Sequence, residues 1–374
     1  MISIVSVGDI MPGGLLSDSS RPCANKEVIE LLASGDIRCG TLECAFGNKP
    51  TYDKAKVADR GNVIYAKDND IKRLKELQID IVSLANNHFY DLGVEGAIHT
   101  IDLLDKNGIL HCGAGANLKE AGKPVVMEFG NKKVAFLAFC DTNYNNVYYC
   151  TYATENSPGI NPMNEEYVID EIMRYANLYD YVVVLAHWGT ENTFFPNISS
   201  YKMANKMLKA GACLVLGSHP HRVQPVLNVR NGSVVFSMGN FLFPERLIAP
   251  PKVTYYPEGP IDYSSLPVTN KYPIVHTITL KTLPYLARVG MIVNTCINGS
   301  TIISSYRYTF LDNENYLQLL DEQRSNDLNG KLRNLELPLK YNYYSFYKIY
   351  KKGFRSFKNK LKKIKSKLKF PTPL

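Results

Sequence analysis

No CxxC pair occurs among the eight cysteines (23, 39, 44, 112, 140, 150, 213 and 296), and most of them lie in or beside apolar runs. That pattern argues against a zinc ribbon or a disulfide framework and for reduced, buried thiols. There is also no apolar run of about 18 residues, so no membrane-spanning helix is expected. The N-terminus MISIVSVGDIM lacks the basic flank and cleavage segment of a secretory signal, which predicts a chain that starts at a core strand in the cytoplasm. The N-x-S triplets at Asn197, Asn231 and Asn298 then carry no meaning beyond chance. Tryptophan is reduced to one residue, Trp188, and no internal repeat is visible.

Acidic residues are missing from Pro338 to Leu374, where eleven Lys and one Arg stand. Subtracting those twelve charges from the whole-chain value of +8 leaves residues 1–337 at −4, so the basic character is local. Within this tail Tyr347, Tyr350, Phe354, Phe357, Leu361, Ile364 and Leu368 recur at spacings of three and four, with Lys348 and other cations on most remaining positions. The pattern predicts a basic amphipathic C-terminal helix that engages an anionic membrane surface, or else a partner helix. Each cation near an anionic leaflet contributes about 1 kcal/mol, which would hold the protein peripherally at the inner membrane. Nucleic acid is not expected as a partner, because no folded basic domain accompanies the tail.

What is present in residues 1–337 is an alternation of short apolar strands and amphipathic helices, the signature of an α/β domain. Strands are expected at Ile2–Val7, Ile37–Leu42, Ile79–Ala85, Lys133–Phe139, Tyr181–Ala186, Ala212–Leu216 and Val234–Phe236. Helices are expected at Ala24–Ala33, Lys67–Gln78, Val94–Asp105, Glu165–Ala176, Ser199–Ala210 (capped by Ser199 or Ser200) and near Asn313–Gln323. Asp141–Pro162 reads as a long loop. So does the stretch 244–273, where seven prolines suggest a lid. Ile274–Leu280, Val289–Cys296 and Thr301–Tyr308 follow without intervening helices, which predicts an antiparallel extension of a sheet. His99, His111 and His276 read as surface or packing histidines.

Chemistry collects where the buried strands end. Asp9, Glu43, Asn87-His88, His187 and the pair His219/His221 each follow directly on a predicted strand, and such ends converge on one edge of an α/β sheet. Glu43 stands between Leu42 and Cys44-Ala45-Phe46, a setting in which a carboxylate is costly unless it is paired or ligating. Pro220 fixes its own φ and biases Ser218 and His219 toward extended geometry. Together the tips offer oxygen and nitrogen donors suited to zinc, manganese or iron, and Glu43 can bridge two cations.

GDIMPGG (8–14), TLE (41–43), SLANNHFYDLG (83–93), AHWGTE (186–191), GSHPHRVQPV (217–226) and FSMGNFLF (236–243) resemble, in order, the motifs of the CapA family. These are capsule and poly-γ-glutamate biosynthesis proteins of the calcineurin-like metallophosphatase superfamily. The resemblance implies a four-layer α/β/β/α sandwich over residues 1–337 with two divalent metals (Mn, Zn or Fe) at the strand ends. It implies that Asp9 and His221 ligate the first metal, that Asn87, His187 and His219 ligate the second, and that Glu43 bridges them. His88 would protonate a leaving oxygen, with Asp91 orienting it, while Glu191, Arg222 and Asn240 would contact substrate. Where the wider superfamily has a DxH pair, Ile10 and Met11 follow Asp9 here, and Glu43 replaces a bridging aspartate. The first metal thus has fewer protein ligands. The implied activity is attack of a metal-activated water on a phosphoester. Two alternatives stand beside it: reaction at a γ-glutamyl amide or polymer precursor, and a non-catalytic accessory subunit of a membrane-bound capsule synthase.

Overall fold

The most apolar runs of the chain build two β-sheets. In the computed structural model, which describes residues 1–17, 19–48, 62–142, 150–271 and 275–341, the first sheet has the order Leu317–Leu319, Thr301–Leu311, Val289–Asn298, Ile2–Ile10, Ile37–Leu42, Ile81–Ser83, Leu110–Cys112. Asn240–Leu242 also pairs with Ile2–Ile10. The strands from Ile2–Ile10 to Leu110–Cys112 are parallel, whereas Val289–Asn298 and Thr301–Leu311 add antiparallel. The second sheet runs Pro162–Met163, Lys132–Asp141, Tyr181–His187, Ala212–Ser218, Gly232–Val235, Val226–Val229. Its four central strands are parallel.

Side-chain alternation decides how these sheets stack, since successive residues of a strand face opposite ways. Phe136, Ala138 and Cys140 join a core shared with Ile4, Val7 and Cys39 of the first sheet. Leu137 and Phe139 point the other way, onto Val168 and Ile172 of the Glu165–Ala176 helix and Met207 of the Ile198–Ala210 helix. Val28 and Leu32 of the Lys26–Ala33 helix, with Ala97 and Leu104 of the Gly93–Lys106 helix, pack on the first sheet's side. The architecture is a four-layer α/β/β/α sandwich. Each fully buried aliphatic side chain at these faces stabilises by roughly 1.5–3 kcal/mol relative to exposure, so the two strand-end rims are fixed relative to one another.

Several expectations need correction. The helix expected near Asn313–Gln323 begins only at Glu322: Asp312 Oδ1 accepts from Glu314 N (2.8 Å) and Tyr316 N (2.9 Å), which makes a turn, Leu317–Leu319 joins the first sheet, and the helix is Glu322–Tyr341. That helix runs through the 337/338 position. The Pro-rich stretch is not a bare loop. Arg246–Ala249, Val253–Tyr255, Val268–Thr269 and Thr279–Lys281 form a small four-stranded sheet, because the prolines fall between strands and leave their N–H groups free to pair. Among the described residues of the expected Ile274–Leu280 strand only those within Thr279–Lys281 pair, and His276 is exposed at a bend. The Ile198–Ala210 helix starts after Asn197 rather than at Ser199 or Ser200.

His99 and His111 lie within 2.8 Å of Asp68 and 3.2 Å of Asp105 respectively, as surface pairs. All eight cysteines are free thiols. Among the described residues no helix is long and apolar enough to cross a membrane. The tail residues Lys348, Tyr350, Phe354, Phe357, Leu361, Ile364 and Leu368 lie outside the described residues.

Candidate metal centre

The site forms where both sheets present the C-terminal ends of their parallel strands to the same volume. Asp9 closes Ile2–Ile10, Glu43 follows Ile37–Leu42, and Asn87 and His88 follow Ile81–Ser83. From the second sheet, His187 ends Tyr181–His187, and His219 and His221 follow Ala212–Ser218. Close backbone approach makes this possible. A Cβ on Gly8 would lie 1.8 Å from Gly239 O, and one on Gly217 would lie 1.9 Å from Phe236 O. Only glycine permits such contacts. In the room so gained, Asp9 N donates to Gly239 O at 2.9 Å.

Two groups of donor atoms share Glu43. Glu43, His187 and His219 form one, and Asp9, Glu43 and His221 the other, each with all ligand atoms within 4.8 Å of one another. His187 Nε2 is 3.7 Å and His221 Nε2 3.6 Å from Glu43 Oε1, and His221 Nδ1 is 3.4 Å from Asp9 Oδ2. Asn87 Oδ1 lies 2.7 Å and His219 Nδ1 3.1 Å from His187 Nε2. Every residue expected to ligate is thus within this one cluster.

The loop that carries two imidazoles departs from the extended geometry expected beside Pro220. His219 (φ +92°) and His221 (φ +50°) are both left-handed, a conformation that costs a non-glycine residue about 1–3 kcal/mol. The turn is held because His219 N donates to Asp9 Oδ2 (3.3 Å) across the two sheets, and it turns both rings toward Glu43.

Supporting groups fix the rings. Ser218 Oγ is 2.9 Å from His187 Nδ1 and accepts from Thr41 Oγ1 at 3.1 Å, which leaves Nε2 of His187 facing Glu43, Asn87 and His219. Asn240 Oδ1 is 2.7 Å from His221 Nδ1, and its amide nitrogen donates to Ala287 O (2.8 Å), which fixes its orientation. Asn86 Nδ2 donates to Leu42 O (2.8 Å) while its Oδ1 accepts from His88 N (3.0 Å). Asn86 and Ser218 were not singled out from the sequence; the signal was present in the polar run after Ala85 and in the residue beside His219.

His88 and Asp91 form a dyad: Nδ1 is 2.7 Å from Asp91 Oδ2, an oxygen that also accepts from Ile64 N at 2.7 Å. Both residues line a cleft of about 540 Å³ together with Asn87, Glu191, His221 and Asn240. Arg222 lies behind this cleft, its guanidinium donating to His221 O at 2.5 Å.

Burial dominates the electrostatics. It pushes the Glu43 carboxyl well above the usual range, with Asp9 adding to the rise. Burial, then the neighbouring imidazoles, hold His187 well below its ordinary value, and burial takes His219 down to about 4. Burial also opposes a charge on His221, yet Glu43 and Asp9 together carry it well above the ordinary imidazole value. Partial burial likewise opposes ionisation of Glu191, but His221, His219, His88 and Arg222 hold its carboxyl below the usual range.

A cation site explains what these groups lack. Asp9 Oδ1 and both Glu43 oxygens are buried with no hydrogen-bond partner among the described residues. Buried carboxylate oxygens are normally bonded, and two neutral imidazoles beside them complete a mixed donor set for a divalent cation. The residues fit.

The bacterial capsule synthesis protein PGA_cap family model matches residues 3–245. The chain is 32% identical over 250 residues to the PGA biosynthesis protein CapA of Bacillus subtilis (strain 168), covering 65% of this chain and 63% of that protein. It is 29% identical over 252 residues to the capsule biosynthesis protein CapA of Bacillus anthracis, covering 65% of this chain and 60% of the relative. It therefore spans less than two thirds of the length of each. A hypothetical protein from Thermus thermophilus aligns with a TM-score of 0.47 at 12% identity, covering 86% of this chain and 100% of its own. By the span of the matching family model, this chain belongs to the bacterial capsule synthesis protein PGA_cap family.

Proposed function

We propose that this chain is a metal-dependent hydrolase of capsule or poly-γ-glutamate biosynthesis that acts on a phosphoester. One observation carries the reading: Glu43 sits at the shared vertex of two donor groups with both oxygens buried and lacking hydrogen-bond partners among the described residues. In this reading Asp9 and His221 would hold one cation, Asn87, His187 and His219 would hold another, and Glu43 belongs to both donor groups. Divalent cations supply Lewis acidity there and neutralise charge that develops on the group under attack.

The chain's own residues do the rest. Asp91 fixes the His88 ring through Nδ1, so Nε2 is the atom placed to give a proton to the leaving oxygen at the cleft. Asn240 positions His221, Arg222 steadies the loop through His221 O, and Glu191 contacts substrate at the cleft mouth. The test is hydrolysis of generic phosphoesters with added Mn²⁺, abolished in His187→Ala and His219→Ala. Absence of bound metal together with absence of activity under every divalent cation would overturn it.

Two other readings have support of their own. The family's description names capsule synthesis and the Bacillus subtilis relative is a PGA biosynthesis protein, which together support a γ-glutamyl amide as the bond attacked; turnover of both substrate classes by one preparation distinguishes it. The basic tail favours a peripheral location at the inner face of the membrane beside synthase subunits, with an accessory role if catalysis fails.

A further inference from the structure

We infer that the cleft takes a substrate carrying more than one oxyanion, and that Lys281 and Lys271, on the wall built by the four-stranded sheet, hold the group that is not attacked. The inference rests on the reading of this cleft as the substrate site. At about 540 Å³ the cleft has the size of a site for a small organic ligand, well beyond what one phosphoryl group fills. His88, Glu191, His221 and Asn240 line it from the two main sheets, and Asn270, Lys271 and Lys281 line it from the small one.

The small sheet places its cations in an unusual way. Arg246 and Lys281 are register partners on adjacent antiparallel strands, with 1% and 2% of their surfaces exposed. Like charges directly opposite one another in a strand pair are destabilising, and more so out of water. The nearby Glu245 carboxylate offsets part of this repulsion while it also ion-pairs with Arg288, and Lys281 Nζ donates to Thr282 O at 3.0 Å. Burial first, and Arg246 second, bring the Lys281 ammonium down to about 8. At neutral pH the ammonium is still the main form, and a bound anion would favour it further. Lys271 adds an exposed cation at the same wall. This concentration of positive charge stands out in a body whose net charge is −4. Lys271 and Lys281 lie C-terminal to residues 3–245, the span that matches the family model.

The shared chemistry is an oxyanion, from the carboxylates of a γ-linked glutamate chain or from the second phosphate of a phosphorylated precursor. Calorimetric titration of a short γ-linked glutamate oligomer and, separately, of inorganic pyrophosphate into Mn²⁺-loaded and chelator-treated full-length protein tests it. Lys281→Met and Lys271→Gln should each weaken the probe that binds by about tenfold or more, the expected loss for a hydrogen bond to a charged group. Lys281→Arg should retain binding, and the melting temperature of Lys281→Met should not fall. Binding of the oligomer alone identifies the polymer, and of pyrophosphate alone the precursor. Equal affinity in wild type and both variants, or no binding of either probe, overturns the inference. Lysine-dependent binding by protein that takes up no added metal and is inactive under every divalent cation would leave this inference standing while the hydrolase reading fails.

Discussion

Replacing Glu43 by Gln separates a metal ligand from a merely buried acid. The amide keeps the volume and removes the charge, so both donor groups lose the residue they share. A cation bound only to the native state at a hundredfold excess over its Kd adds about 2.7 kcal/mol. For a chain of 374 residues that is an upward shift of about 3 °C. Wild type should show such a shift with Mn²⁺ in differential scanning calorimetry, and Glu43→Gln should show little or none.

Without metal the sign reverses. Burial and Asp9 raise the native Glu43 value well above the ordinary 4.5, so above that pH the native state retains a proton that the unfolded chain has released. Metal-free wild type therefore loses stability as pH rises toward the raised native value, by about 1.4 kcal/mol per pH unit for each proton retained. His221, also raised, acts in the same sense above 6.5, and Glu43 is the first group that raises it. Burial lowers His187 and His219, and both act in the opposite sense only below about 6.5. The amide of the Glu43→Gln variant carries no such proton, so in chelator the variant should be at least as stable as wild type, with an advantage that grows as pH rises above the ordinary carboxyl value of 4.5. A variant that keeps the Mn²⁺ shift, or is less stable than wild type in chelator at every pH, would refute the reasoning.

Removing the proton donor should leave the metals alone: His88→Ala and Asp91→Asn should lower kcat by about 10²–10⁴-fold on alkyl phosphoesters and much less on nitrophenyl esters, with unchanged metal content. Asn240→Ala takes away the group 2.7 Å from His221 Nδ1, and metal affinity by competitive chelation should fall about 10–100-fold. Gly8→Ala drives a Cβ to 1.8 Å from Gly239 O, so soluble yield and melting temperature should drop sharply, whereas the same change at Gly259, with nothing within 4 Å, should be near neutral. Sedimentation with anionic liposomes should require residues 338–374; equal binding by full-length and truncated protein would remove the membrane role.

Strand tips were legible because a buried strand announces itself by composition and whatever polar residue follows it must sit at its end. Glu165–Ala176 has in the structure the same bounds that its apolar period suggests, and the antiparallel Val289–Asn298 and Thr301–Leu311 pair follows from the lack of a helix between them. What escaped depends on contacts distant in sequence. Leu317–Leu319 is a strand because Thr309–Leu311 is there to pair with it, not because of its own pattern. Prolines marked 244–273 as loop, yet they fall where N–H donors are not needed. The left-handed turn at His219 and His221 overrides the local preference set by Pro220, since Asp9 of the other sheet holds its backbone. Nothing in the sequence around Lys281 marks it, because its position opposite Arg246 comes from strand register.

Anomalous diffraction from Mn²⁺-soaked crystals addresses the cation site most directly. Two peaks are expected on either side of the Glu43 carboxylate, one beside His187 and His219 and the other beside Asp9 and His221, the second the weaker. Peaks elsewhere on the molecule with none at Glu43 would contradict the assignment of these five strand ends as one metal centre.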